Sequence, residues 1–214
     1  MLLRELLSNE KVRIGVLRSK DGEEKDIEWV VLAADSSLEN IHLLSVSSMI
    51  ACSFHEKEYT DIEYEDSFGC VEVACSWRQS DIRAYLSGEF YDNSFSNTEK
   101  AYIVPQKRHY NVDDFLIPND VSDDKVYLLK LDEFLMLDLD TKCCACEKGD
   151  EMWWLEEQKS RGCDDTCELP KIYTVNCQTG KLMGSTPDKV LFPRVSMTVK
   201  LDYLLSTLPN VVIW

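Results

Sequence analysis

Glycine and positive charge are scarce in this chain, and each shortage removes a class of function. Eight glycines in 214 residues supply no glycine-rich loop of the kind that cradles phosphates with backbone amides, and few flexible catalytic loops. Lys and Arg number 23 against 39 Asp and Glu, a net charge of −16. A field of that sign repels nucleic-acid phosphates and anionic bilayers. Direct nucleic-acid binding and membrane binding are therefore not expected, and the partner that the charge favours is another protein with a basic surface. No apolar run approaches the roughly 18 residues of a membrane span. The opening MLLRELLSNEKVRIG is broken by Glu5 and lacks a small-residue cleavage site, so no export signal is read there and the expected setting is cytoplasmic or nuclear.

What is present is enough to fold. Apolar residues make up 44% and aromatics 10% of the chain, which are globular values. Strand-like runs outnumber helical ones and show no regular βα alternation. The expected class is α+β, mainly antiparallel sheet with a few short helices and a small Cys-rich lobe over 142–177, as a single domain over 1–214. If there is a break it is expected near 91–100, because EFYDNSFSNTEK (89–100) reads as loop.

Several elements can be placed. Leu2, Leu3, Leu6 and Leu7 have helical spacing. KVRIGVLR and DIEWVVLAA read as strands joined through Asp21-Gly22, a turn pair that suits positive φ. IHLLSVSSMIACSF is read as a strand, and GCVEVACSW puts Cys75 on the core face. SDIRAYLSG reads as a short helix with Ser80 as N-cap and Gly88 as stop. KVYLLKL and EFLMLDL are strand-like, one of them open to a helical reading. Pro193 in KVLFPRVSMTVK predicts an edge or kinked strand, LDYLLSTL a last helix, and VVIW a strand tucked into a sheet.

The densest chemistry lies in KCCACEKGDEMWWLEEQKSRGCDDTC (142–167). Cys143 with Cys146 and Cys163 with Cys167 have spacings that suit two ligand pairs of a tetrahedral zinc site, which with four thiolates is structural rather than catalytic. Cys144 or Cys177 can replace a weak member. Reduced structural thiols and redox or nucleophilic chemistry are the other readings, since an odd count of nine cysteines without a secretory signal argues against a disulfide framework. Residues 151–161 have acids early and Lys159, Arg161 and Gly162 late, which predicts a helix between the pairs. Trp153 and Trp154 are expected to pack this lobe and to offer an aromatic contact surface.

The strand TDIEYED sets Asp61, Glu63 and Glu65 on one face, a docking surface for a basic partner. Asp138 and Asp140 would share a face if LDLD is a strand, with acids of NVDDF and VSDDK near, but the cations that phosphate chemistry needs are only Lys107, Arg108, Lys125 and Lys130. Cys52 and His55 are close without a nucleophile motif. The reading is a non-enzymatic protein-protein interaction module or regulatory subunit with an acidic surface and a structural zinc. The alternative is a metal-dependent hydrolase or nuclease using an acidic cluster, or a cysteine-based enzyme.

Overall fold

The computed structural model describes residues 12–18, 22–48, 51–56, 62–65, 71–112, 115–143, 152–159 and 171–207. The fold is α+β: antiparallel sheets with a few short helices. β1 (Val12–Arg18), β2 (Glu24–Ala34) and β3 (Asn40–Ser45) form a meander, and Gly22 takes φ +82° between the first two. A two-stranded ribbon, β4 (Ile62–Glu65) with β5 (Val71–Ala74), follows.

Helices occupy the next stretch. α1 (Asp81–Tyr85) starts at Ser80, whose side chain accepts the Arg83 amide as an N-cap should. The helix does not stop at Gly88: it runs on as the π-helical turn α2 (Leu86–Phe90) and then α3 (Tyr91–Ser94). After Ser96 comes α4 (Asn97–Lys100), closed by a capping box in which Ser96 and Glu99 exchange hydrogen bonds. The loop expected over 89–100 is therefore helical. Its polar residues misled because three aromatics, Phe90, Tyr91 and Phe95, bury themselves in the main core from irregular spacings.

β6 (Gln106–Val112) and β7 (Phe115–Asp124) pair as a long hairpin. β8 (Val126–Tyr127), α5 (Leu131–Leu135) and α6 (Leu139–Lys142) follow, so EFLMLDL takes the helical reading. Asp138 is the N-cap of α6 and accepts the Thr141 amide, which removes the shared strand face drawn for Asp138 and Asp140. β9 (Met152–Lys159), β10 (Lys171–Asn176) and β11 (Leu182–Ser185) form a three-stranded sheet in the order β11-β10-β9. β12 (Ser196–Lys200) lies inside the five-stranded sheet β1-β2-β3-β12-β8 and leads into α7 (Leu201–Thr207). Pro193 stands before that strand, so it makes neither an edge nor a kink in it.

The helix expected over 151–161 is instead strand β9. Trp154 enters the main core with Trp29, Phe54 and Trp77, while Trp153 and Leu155 enter a second core with Phe134, Val175 and Cys177. A strand covered on both faces loses the period of two, and its charges then resemble a helix dipole pattern. Residues 1–7 and VVIW lie outside the described residues. Among the described residues no helix is long and apolar enough to cross a membrane.

Candidate functional site

The register of β9 against β10 shifts between Ile172 and Thr174, opposite the stretch of β9 that carries Glu156 and Glu157. Irregularities of this kind re-aim side chains. Glu157 accepts the Leu131 amide at 2.8 Å, and the Glu156 amide donates to the Leu129 carbonyl at 2.9 Å. Glu156 is at 0% exposure and points at Arg108 of β6.

Arg108 is the hub. Its Nη1 and Nη2 donate to Glu133 Oε1 and Oε2 at 2.7 and 2.9 Å, a bidentate pair. Nε donates to Glu156 Oε2 at 2.8 Å and Nη2 to the Leu128 carbonyl at 3.1 Å. The guanidinium also lies 4.4 Å from the centre of the Tyr127 ring. Burial alone would make Arg108 easier to discharge, but the two carboxylates outweigh it and hold the cation firmly charged.

The two carboxylates respond in opposite senses. For Glu133, burial works against the charge, yet the hydrogen bonds and charge of Arg108 win and its pKa falls below the ordinary value. For Glu156, complete burial dominates over Arg108 and pushes the pKa up to about 7. Its Oε1 has no hydrogen-bond partner among the described residues, which is consistent with a carboxyl that gives up its proton reluctantly.

Tyr127 carries the network onward. Its hydroxyl lies 2.9 Å from Thr198 Oγ1, and His42 Nδ1 lies 3.2 Å from Thr198 Oγ1 and 3.4 Å from the Tyr127 hydroxyl. Burial keeps the His42 ring neutral by lowering its pKa, against the pull of the Glu133 charge, and raises the Tyr127 phenol to about 12. Beside these groups is a cavity of about 270 Å³. Its walls are Leu32, Leu43, Leu129, Met136 and Leu137, and its polar side is formed by His42, Tyr127, Glu133 and Ser196.

The outer face of the same segment is apolar. Leu135, Met136 and Leu139 are exposed by 58%, 87% and 62%. Asp132, Asp138 and Asp140 around them are exposed as well.

The residues singled out from sequence fare differently. Trp153 and Trp154 are both at 0% exposure; they anchor two cores and offer no aromatic contact surface, a correction that follows from β9 being covered on both sides. Glu63 and Glu65 are on β4, where β5 pairs with it, and Asp61 lies outside the described residues. Cys143 follows α6 and its Sγ donates to the Gln178 carbonyl at 3.1 Å. Cys146, Cys163 and Cys167 lie outside the described residues, as does Cys144. Cys75 is at 0% exposure, as expected, and Cys177 is too. Among the described residues no group of three or more His, Cys, Asp or Glu is arranged to hold a metal ion. His55 pairs with Asp81 at 2.7 Å, and burial pushes the Cys52 thiol up to about 12, which is unlike an activated nucleophile.

Arg108, Glu133 and Glu156 were not assembled from the sequence. Arg108 reads there only as part of a basic spot, and its partners stand 25 and 48 positions away. The one local hint is Glu156 within MWWLEEQ, an acid inside an aromatic run, which asks for a buried cation.

Fold and site together define an antiparallel α+β module built around a buried arginine and two carboxylates, with an apolar cavity at its edge. Residues 39–173 match the family described as a domain of unknown function, DUF6273, and the chain belongs to that family. No curated protein and no solved structure matches the chain.

Proposed function

We propose that the chain is a non-enzymatic protein-protein interaction module, or regulatory subunit. Its partner docks on the α5–α6 face with a segment that combines an apolar anchor and basic flanks. The observation that carries this reading is the patch of Leu135, Met136 and Leu139, three large apolar side chains exposed by 58%, 87% and 62% within five positions. Soluble surfaces place such side chains singly, and a cluster rimmed by charge marks a contact site. Methionine suits that use because its unbranched side chain adapts to the surface it meets. The rim of Asp132, Asp138 and Asp140, together with the net charge of −16, supplies the complement to Lys or Arg on the partner.

The acidic strand at Asp61, Glu63 and Glu65 is a second contact surface in the same reading. A structural zinc on Cys143, Cys146, Cys163 and Cys167 also belongs to it. Elemental analysis of the purified chain tests the zinc, with one equivalent expected. The setting proposed is reducing, cytoplasmic or nuclear, and mass spectrometry of the unreduced protein tests it.

Docking is tested by selection from a phage-displayed peptide library on the wild-type chain and on a Met136→Asp, Leu139→Asp double variant. Enrichment of peptides with Lys or Arg flanking an apolar residue on the wild type alone is the expected result. Equal enrichment on both proteins, with the variant folded, would remove this face as the docking site.

A further inference from the structure

We infer that the cavity beside His42 is a binding site for a free, uncharged small molecule of the phenol type, an aromatic ring carrying one hydroxyl. It opens beside the docking face and shares Met136 with it, while Leu135 and Leu139 belong to that face alone. Three observations carry the inference.

The first is size and wall chemistry. A dry cavity of roughly 150 Å³ accepts benzene, and this one measures about 270 Å³ with Leu32, Leu43, Leu129 and Leu137 in its wall. A substituted six-membered ring fills such a space, whereas a water cluster would find few partners against leucines.

The second is an unmet hydrogen-bonding group. Ser196 is 2% exposed and lines the cavity; its Oγ has no partner among the described residues and almost no accessible surface, so a ligand meets it once the serine turns about χ1. Buried polar atoms in native structures are nearly always satisfied, so each exception asks for its partner. A ligand hydroxyl both donates and accepts, so it can meet Ser196 whichever way the serine proton points.

The third is charge. Among the described residues the only charged one in the cavity wall is Glu133, and both of its oxygens are already engaged by Arg108. A cationic ligand would have to compete with that bidentate pair, and an anion would meet the Glu133 carboxylate at close range. His42 is held neutral by burial. What remains is a place for a neutral ligand.

The test is titration of the full chain with p-cresol, toluene, benzylamine and benzoate, followed by ¹H–¹⁵N NMR and calorimetry. Saturable p-cresol binding is expected, at about millimolar affinity or tighter for a ligand this small, with toluene at least tenfold weaker and both ions weaker still. Ala33→Phe, at an exposed position on the cavity rim, is expected to abolish p-cresol binding by filling the space. Ser196→Ala is expected to bring p-cresol and toluene to similar affinities. The Ser196→Ala chain should fold at least as stably as wild type without ligand, since it loses an unpaired buried hydroxyl. No saturable p-cresol binding, unchanged binding to the Ala33→Phe chain, or toluene or a charged analogue binding as tightly as p-cresol would each overturn the inference. None of these results bears on peptide docking.

Discussion

Glu156 gives one carboxylate oxygen to Arg108, at 2.8 Å from Nε and 2.7 Å from Nη2, and leaves the other buried, with no partner among the described residues. This asymmetry ties the stability of the module to pH. A fully engaged carboxylate would have been held ionised; burial instead raises the pKa of this one to about 7.

The folded state raises the Glu156 pKa from 4.5 to about 7. It therefore binds a proton that the unfolded chain has released over that window. Stability from this group is complete below pH 4.5 and is lost as the pH rises through about 7. Glu156→Gln, neutral throughout, should gain on wild type by an amount on the order of 3 kcal/mol between pH 4.5 and 8. Urea midpoints of both proteins across that range check it, and parallel curves would show that Glu156 is ionised in the fold at all these pH values.

Removing the cation is a harsher change. Arg108→Ala leaves Glu133 and Glu156 without their shared partner, and loss of one member of a buried pair costs about 3–5 kcal/mol. Arg108→Lys should recover only part of this, since an ammonium cannot reproduce the fork that holds Glu133 at both oxygens. Chemical denaturation at pH 7.5 reads both, and full recovery by lysine would show that the charge alone suffices.

A second buried acid holds the helical segment to the β6–β7 hairpin. Asp124, 1% exposed, accepts from Trp77 Nε1 at 2.8 Å, Ser122 Oγ at 2.6 Å and Arg83 Nε at 2.8 Å. Asp124→Asn turns one acceptor into a donor facing donors, and should cost about 3 kcal/mol. Ser122→Ala removes a single donor and should cost about 1 kcal/mol. The reverse order in thermal melts would mean that Asp124 is not the organising group.

Gly15 sits at the register shift of β1 with φ +76°, and its amide donates to Glu99 Oε1 at 2.8 Å. A Cβ there would stand 2.7 Å from the Phe95 ring and 2.9 Å from the Ser94 carbonyl. Backbone strain and overpacking add, so Gly15→Ala should lower stability by about 3 kcal/mol. Differential scanning calorimetry measures this; a wild-type melting temperature would show that β1 can flatten and the end of α3 withdraw.

Local physics made much of the fold legible in the sequence. Alternation in DIEWVVLAA predicted β2, the polar pair at Asp21-Gly22 predicted the turn, and Ser80 announced the start of α1, because each of these depends on neighbours a few residues away. The capping box SNTE was legible in the same way, yet it was hidden inside a stretch judged only by its polarity. β9 was misread because burial on both faces erased its period. The Arg108, Glu133 and Glu156 cluster left a single local hint, the acid Glu156 inside the aromatic run MWWLEEQ.

The sequence by itself determined the antiparallel α+β class and the net charge of −16, since composition and near-neighbour patterning suffice for both. Only the tertiary structure decided which charges are buried, which tryptophans are core and where a cavity opens. Those outcomes depend on strands distant along the chain meeting in one register, and the desolvation that shifts Glu156 and His42 arises only when they do.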